Sequence, residues 1–102
     1  MGHAEIWRNF LVKWPADLPH HGVLITAQEQ VAFIDFLLSE SLVLFDRRAP
    51  DAVGGRKLIC TYDKIEGIKI VTPVGLDVFT SSGFRALPKP ASKTEELEPV
   101  GS

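Results

Sequence analysis

Between Gly22 and Val74 the chain is a train of short apolar runs, four to ten residues long, each closed by turn-forming residues. That punctuation constrains the fold more than any other feature. VLIT at 23–26 is rich in branched side chains, QVAFIDFLLS at 30–39 follows the polar turn AQEQ, and SLVLFDRR at 41–48 follows Ser39-Glu40. RKLICTY at 56–62 and IKIVTPV at 68–74 complete the set. Runs of this length and residue type, bounded by Gly, Pro, Asp and Ser, read as consecutive antiparallel strands. APDAVGG at 49–55 combines Pro, Asp and paired glycines and reads as a hairpin loop. DKIEG turns the chain into the last strand. Gly67 is expected to supply a left-handed φ or a bulge there, and Tyr62 to Ile65 one 3₁₀ turn.

Upstream, Trp7, Phe10, Leu11 and Trp14 stand at i, i+3, i+4 and i+7, the spacing of one helical face, and Pro15 stops a helix there. Phe10, Val12 and Trp14 also alternate, so a strand from Asn9 to Trp14 is the rival reading. Both readings send the aromatics to the core. PADLPHHG at 15–22, with two prolines and a closing glycine, reads as a loop. From Ser81 the sequence turns to Ser, Gly, Pro, Lys and Glu with little apolar content, so residues 1–81 are expected to form the domain and 82–102 a flexible tail.

A chain of 102 residues has room for one domain and one modest core. Its net charge of −2 supplies no overall positive field toward nucleic acid or an anionic membrane. The lone Cys60 excludes an internal disulfide and a cysteine-based zinc cluster, and a reducing cytoplasm is the expected setting. The first residues carry no basic stretch leading into an apolar one. No run approaches the roughly 18 apolar residues of a membrane span, so no membrane association is expected.

Five short strands joined by tight turns suit a small barrel, because closure removes exposed sheet edges. The order of elements over Gly22 to Pro73 resembles the Sm-like family, which includes bacterial RNA chaperones of that fold. The expected fold is therefore mainly β: a small five-stranded SH3-like or Sm-like barrel with a short N-terminal helix. FIDFLLSESLVLFDRR is similar to the family's long bent second and third strands, where a glycine usually permits the bend. Asp35 or Phe36 stands near that position in this chain. YDKIEGIKIVTP resembles the Tyr-Lys-His stretch and final strand of the bacterial members. Tyr62 and Lys64 carry over and the histidine does not, so the RNA-binding chemistry that the resemblance implies lacks one of its groups.

Arg47, Arg48, Arg56 and Lys57 flank the hairpin loop, so antiparallel pairing brings four cations to one end of the sheet. Such a cluster suits phosphate or carboxylate. Its simpler role is to keep a hairpin soluble and blunt strand edges. His20-His21 diverge in an extended loop, and neither His3 nor Cys60 lies at a ligand spacing, so no metal or cofactor is expected. Cys60, inside an apolar run, reads as a small buried hydrophobe. No nucleophile elbow, phosphate loop, dinucleotide fingerprint or paired-carboxylate motif occurs, and an enzyme is not expected.

Strand alternation would send Phe33, Asp35 and Leu37 to one side and Ile34, Phe36 and Leu38 to the other. Each side then carries large apolar groups, and a small barrel has one interior. The excess must be covered either by the aromatics of the N-terminal helix or by a neighbouring subunit, and the second reading makes the chain a non-enzymatic assembly or protein-interaction module, a homo-oligomer using Phe33, Phe36 and Leu38. The alternative is an Sm-like ring binding RNA or DNA through the arginine hairpin.

Overall fold

A computed structural model describes residues 2–87. It begins with helix α1, His3–Val12, so the helical spacing of the aromatics prevails over their alternation. Gly2 takes the N-cap position, where its backbone N–H donates to the Glu5 carboxylate at 3.2 Å, half of a capping box. Trp14 then turns inward, its indole N–H donating to the Leu18 carbonyl at 3.0 Å, and Pro15 beside it is buried. The loop through Leu18 returns the chain beneath the sheet.

The strands are β1 Gly22–Ile25, β2 Gln30–Leu38, β3 Leu42–Arg47, β4 Lys57–Thr61 and β5 Gly67–Lys69. They form one antiparallel sheet in the order β4-β3-β2-β1-β5, with β4 and β5 at its two edges. The expected fifth strand, 68–74, is shortened because its partner is short: β1 offers pairing only from Ile25 opposite Gly67 to Val23 opposite Lys69. The expected turn between the last two strands is a 3₁₀ turn, Tyr62–Lys64. Gly67 lies inside β5 and has no positive φ, which corrects the role expected of it. The glycine that matters at this seam is Gly22, where a Cβ would sit 2.5 Å from the Lys69 carbonyl oxygen. A side chain there would push β5 away from β1.

One residue of β2 has no partner on β3. Phe33 pairs with Arg47 and Asp35 with Asp46, so Ile34 is an extra residue, a β-bulge. The Asp35 carboxylate stabilises it by accepting the Phe36 backbone N–H at 2.8 Å. The bulge shifts the phase of the strand, so Phe33 and Phe36, three apart, both face inward. This corrects the strict alternation expected for β2.

The core comprises Leu11, Trp14 and Leu18 below the sheet, Leu24, Val31, Phe33, Phe36, Val43 and Phe45 on its inner face, and Tyr62 and Ile65 at one end. Phe33 and Phe45 lie 4.9 Å apart between ring centroids, and Phe36 meets Trp14 edge-on at 5.0 Å. The Tyr62 hydroxyl donates to the Ser39 carbonyl at 2.6 Å, tying the 3₁₀ turn to the β2–β3 connection.

After β5 comes an unexpected 3₁₀ helix, Leu76–Ser82. Phe84 follows and meets Phe10 and Phe79 edge-on at 5.8 and 6.2 Å. Residues 88–102 of the expected tail lie outside the described residues. Among the described residues no helix is long and apolar enough to cross a membrane.

Candidate functional site

The phase shift in β2 decides which side chains reach the surface. Phe33 and Phe36 are buried within the chain and Leu38 is partly buried against the core, so two of the three expected contact residues are already covered. Beyond the bulge the outward residues of β2 are Asp35 and Leu37. Leu37 stands opposite Leu44, and Leu44 opposite Ile59, so three apolar side chains form one row across β2, β3 and β4 on the outer face. Leu37 is 65% exposed and Ile59 58%. Leu42, one pair further along β3, is also exposed. The sequence signal for Ile59 was present in β4, where Lys57, Ile59 and Thr61 alternate with the half-buried Leu58 and Cys60.

A charged row borders the apolar one. Asp35 faces Asp46 across β2 and β3, a like-charge pair that costs energy unless each partner is neutralised. Asp46 has such a neighbour, with Lys57 Nζ 2.8 Å from its Oδ1, whereas Asp35 Oδ1 accepts the Phe36 N–H and lies 3.3 Å from His20 Nδ1. His20 is held in place by its ring, 4.8 Å from that of Phe36.

The row ends at an open edge. The Arg47 N–H donates to the Arg56 carbonyl at 2.9 Å, which makes 47 and 56 a hydrogen-bonded pair of the β3–β4 ladder. In an antiparallel ladder the pairs alternate, so Leu58 and Cys60 also turn their backbone groups toward β3. The N–H and C=O groups of Lys57 and Ile59 and the N–H of Thr61 then point away from the sheet, while the Thr61 C=O is taken up by the 3₁₀ turn that Thr61 caps.

The hairpin cations are divided. Arg47 Nη1 lies 3.7 Å from Glu29 Oε1, and its Nε donates to the Ala49 carbonyl at 3.1 Å. Lys57 is held by Asp46, while Arg48 and Arg56 are exposed and have no ion-pair partner among the described residues. The loop between them is ordered by Asp51, whose Oδ1 accepts the N–H of Gly55 at 2.7 Å and of Val53 at 3.0 Å. Those two backbone donors, Gly55 first, hold its carboxyl below the ordinary value. Gly54, at φ +86°, takes the left-handed conformation that the loop requires.

On the other side of the molecule α1, the end of β5 and the Leu76–Ser82 helix enclose an apolar groove of about 690 Å³. Trp7, Phe10, Ile68, Ile70, Phe79 and Phe84 form its walls, with Asp77 and Arg85 also lining it. Nothing in the expected strand pattern pointed to it, because its far wall is built by a segment after the last strand.

The three histidines are separately engaged. His3 Nε2 lies 2.7 Å from the Ile65 carbonyl, His20 is at the bulge, and His21 Nε2 lies 2.7 Å from the Thr72 hydroxyl. Among the described residues no group of three His, Cys, Asp or Glu side chains is placed to hold a metal ion. Cys60 lies half-buried on the inner face of β4, where burial, and secondarily the Asp63 carboxylate, push its thiol above the ordinary value. Comparison with known families, with curated proteins and with solved structures finds no match for this chain.

Proposed function

We propose that the chain is a non-enzymatic assembly or protein-interaction module that associates with further copies of itself through the β4 edge and the apolar row leading to it. The observation that carries this reading is the row Leu37–Leu44–Ile59, continuous across three strands and ending at an edge that pairs with no further strand among the described residues. Apolar surface left in water costs about 25 cal/mol for each Å². An open strand edge beside such a surface is a template for pairing, which single-copy proteins usually blunt or cover. The bulge in β2 supports a rolled, barrel-like sheet of the SH3 or Sm type, since an extra residue increases local bend and twist. The single unbridged cysteine suits a reducing compartment such as the cytoplasm.

The second reading is RNA or DNA binding, favoured by Arg48 and Arg56, which stand exposed on either side of the hairpin. Two free cations in a chain of net charge −2 support weak, salt-sensitive binding at most. Size-exclusion chromatography with light scattering, over a rising concentration series and with single-stranded RNA added, separates the readings. Self-association that persists without RNA and is lost in a folded Ile59→Asp variant is the expected result. A wild type that stays monomeric at millimolar concentration overturns the assembly reading, and a shift only with RNA, lost in an Arg48→Ala, Arg56→Ala variant, favours the second.

A further inference from the structure

The β4 edge is self-complementary, and we infer that it pairs antiparallel with the β4 edge of a second copy about a two-fold axis at Ile59. This rests on the self-association proposed above and adds its geometry. Three residues, Lys57, Ile59 and Thr61, turn backbone groups outward. In a register centred on Ile59 each of them meets another outward residue. Ile59 faces the second copy's Ile59, and Lys57 faces the second copy's Thr61 in both directions. All three pairs are then of the hydrogen-bonded kind. The Thr61 C=O accepts within the 3₁₀ turn that Thr61 caps, so four N–H to C=O bonds join free groups: two between the Ile59 residues and one from each Thr61 N–H to the Lys57 carbonyl of the other copy. Centring the axis one residue away, on Leu58 or Cys60, leaves only two of the three paired with one another.

Charge does not oppose this register. β4 begins at Lys57, with Arg56 just before it, and ends at Thr61, with Asp63 and Lys64 just beyond. Antiparallel pairing brings the basic start of one strand to the Asp63-Lys64 end of the other, where the two charges offset, and sets Lys57 opposite the uncharged Thr61. Lys57 is also partly neutralised within its own chain by Asp46, which weakens the usual action of an edge lysine against pairing. The other edge is a poorer partner, since β5 is three residues long and β4 five.

Side chains agree with the backbone. Ile59, 58% exposed in the single chain, would meet its counterpart on the outer face, and Leu58 would lie opposite the second copy's Cys60 on the inner face. The two apolar rows then join end to end into one stripe across six strands, a ten-stranded sheet in place of two five-stranded ones. An isologous contact of this kind closes on itself, so the product is a dimer rather than a ring.

Cross-linking reads the register directly. In a Cys60→Ser background, Lys57→Cys and Thr61→Cys chains are mixed and oxidised, since paired Cα atoms about 5.5 Å apart lie within disulfide reach. A covalent dimer from the mixture, with little from either chain alone, is the expected result, together with a light-scattering mass twice that of one chain. Ile59→Pro supplies a second measurement: it removes an outward N–H that β3 does not use, so the chain should stay folded by circular dichroism and lose half the wild-type mass. A wild type that assembles into more than two copies, or without the 57–61 cross-link, or whose Ile59→Pro variant still dimerises, overturns β4 pairing and leaves self-association standing. A monomeric wild type removes both.

Discussion

The two apolar surfaces of this molecule are built in opposite ways. The outer row lies on three paired strands with Phe33, Phe36 and Phe45 packed directly behind them, so its side chains sit at fixed intervals on a rigid ladder. The groove is walled on one side by the Leu76–Ser82 helix, which has no buried residue. That wall is held by ring contacts of Phe84 with Phe10 and Phe79, and by the Ser82 hydroxyl donating to the Lys13 carbonyl. A region with few buried contacts opens locally at low cost, whereas a core strand opens only with the whole fold. Apolar exposure alone therefore does not specify a role: the row is a fixed template with open backbone groups, and the groove has one adjustable wall held by ring contacts.

Substitutions in the two supports should differ accordingly. Phe45→Ala, which empties the core behind the row, should cost roughly 3–5 kcal/mol in urea unfolding, enough to threaten the fold of a domain this small. A loss below about 1 kcal/mol would show that the ladder is not held from behind. Asp35→Ala removes the acceptor for the Phe36 N–H and the partner of His20, and should cost about 1–2 kcal/mol. An unchanged midpoint would mean that the bulge needs no side-chain support. Phe84→Ala removes two edge-on contacts from a half-exposed ring and should cost only about 1 kcal/mol. Its clearest effect should be faster amide exchange across 76–82 with the strand amides unchanged. Exchange that rises equally in the strands would erase the contrast between the two surfaces.

Much of the framework is legible from the residues. The helical spacing of Trp7, Phe10, Leu11 and Trp14 located α1, and Gly, Pro and Asp placed the turns, because these signals act within a few residues of themselves. The surface was not legible to the same degree. A bulge at Ile34 depends on where β3 begins to pair and on one carboxylate reaching one N–H, and its effect on facing propagates to every later residue of β2. Strict alternation therefore placed Phe36 beside Leu38 on one face and left Leu37 with the buried Phe33. The groove was hidden for a different reason: Val78, Phe79 and Phe84 are too sparse to announce a packed segment, and gain their place from aromatic rings on α1 more than sixty residues earlier.

The two tryptophans fall on either side of this division. Trp14 is nearly shielded, bonded through its indole N–H and set against Phe36, whereas Trp7 lines the groove and is only partly buried. Single-tryptophan chains would carry separate optical reporters, a blue-shifted one for the packed interior and a quencher-accessible one for the groove, so that loosening of the 76–84 wall and loss of the sheet would appear as two different colours of the same emission.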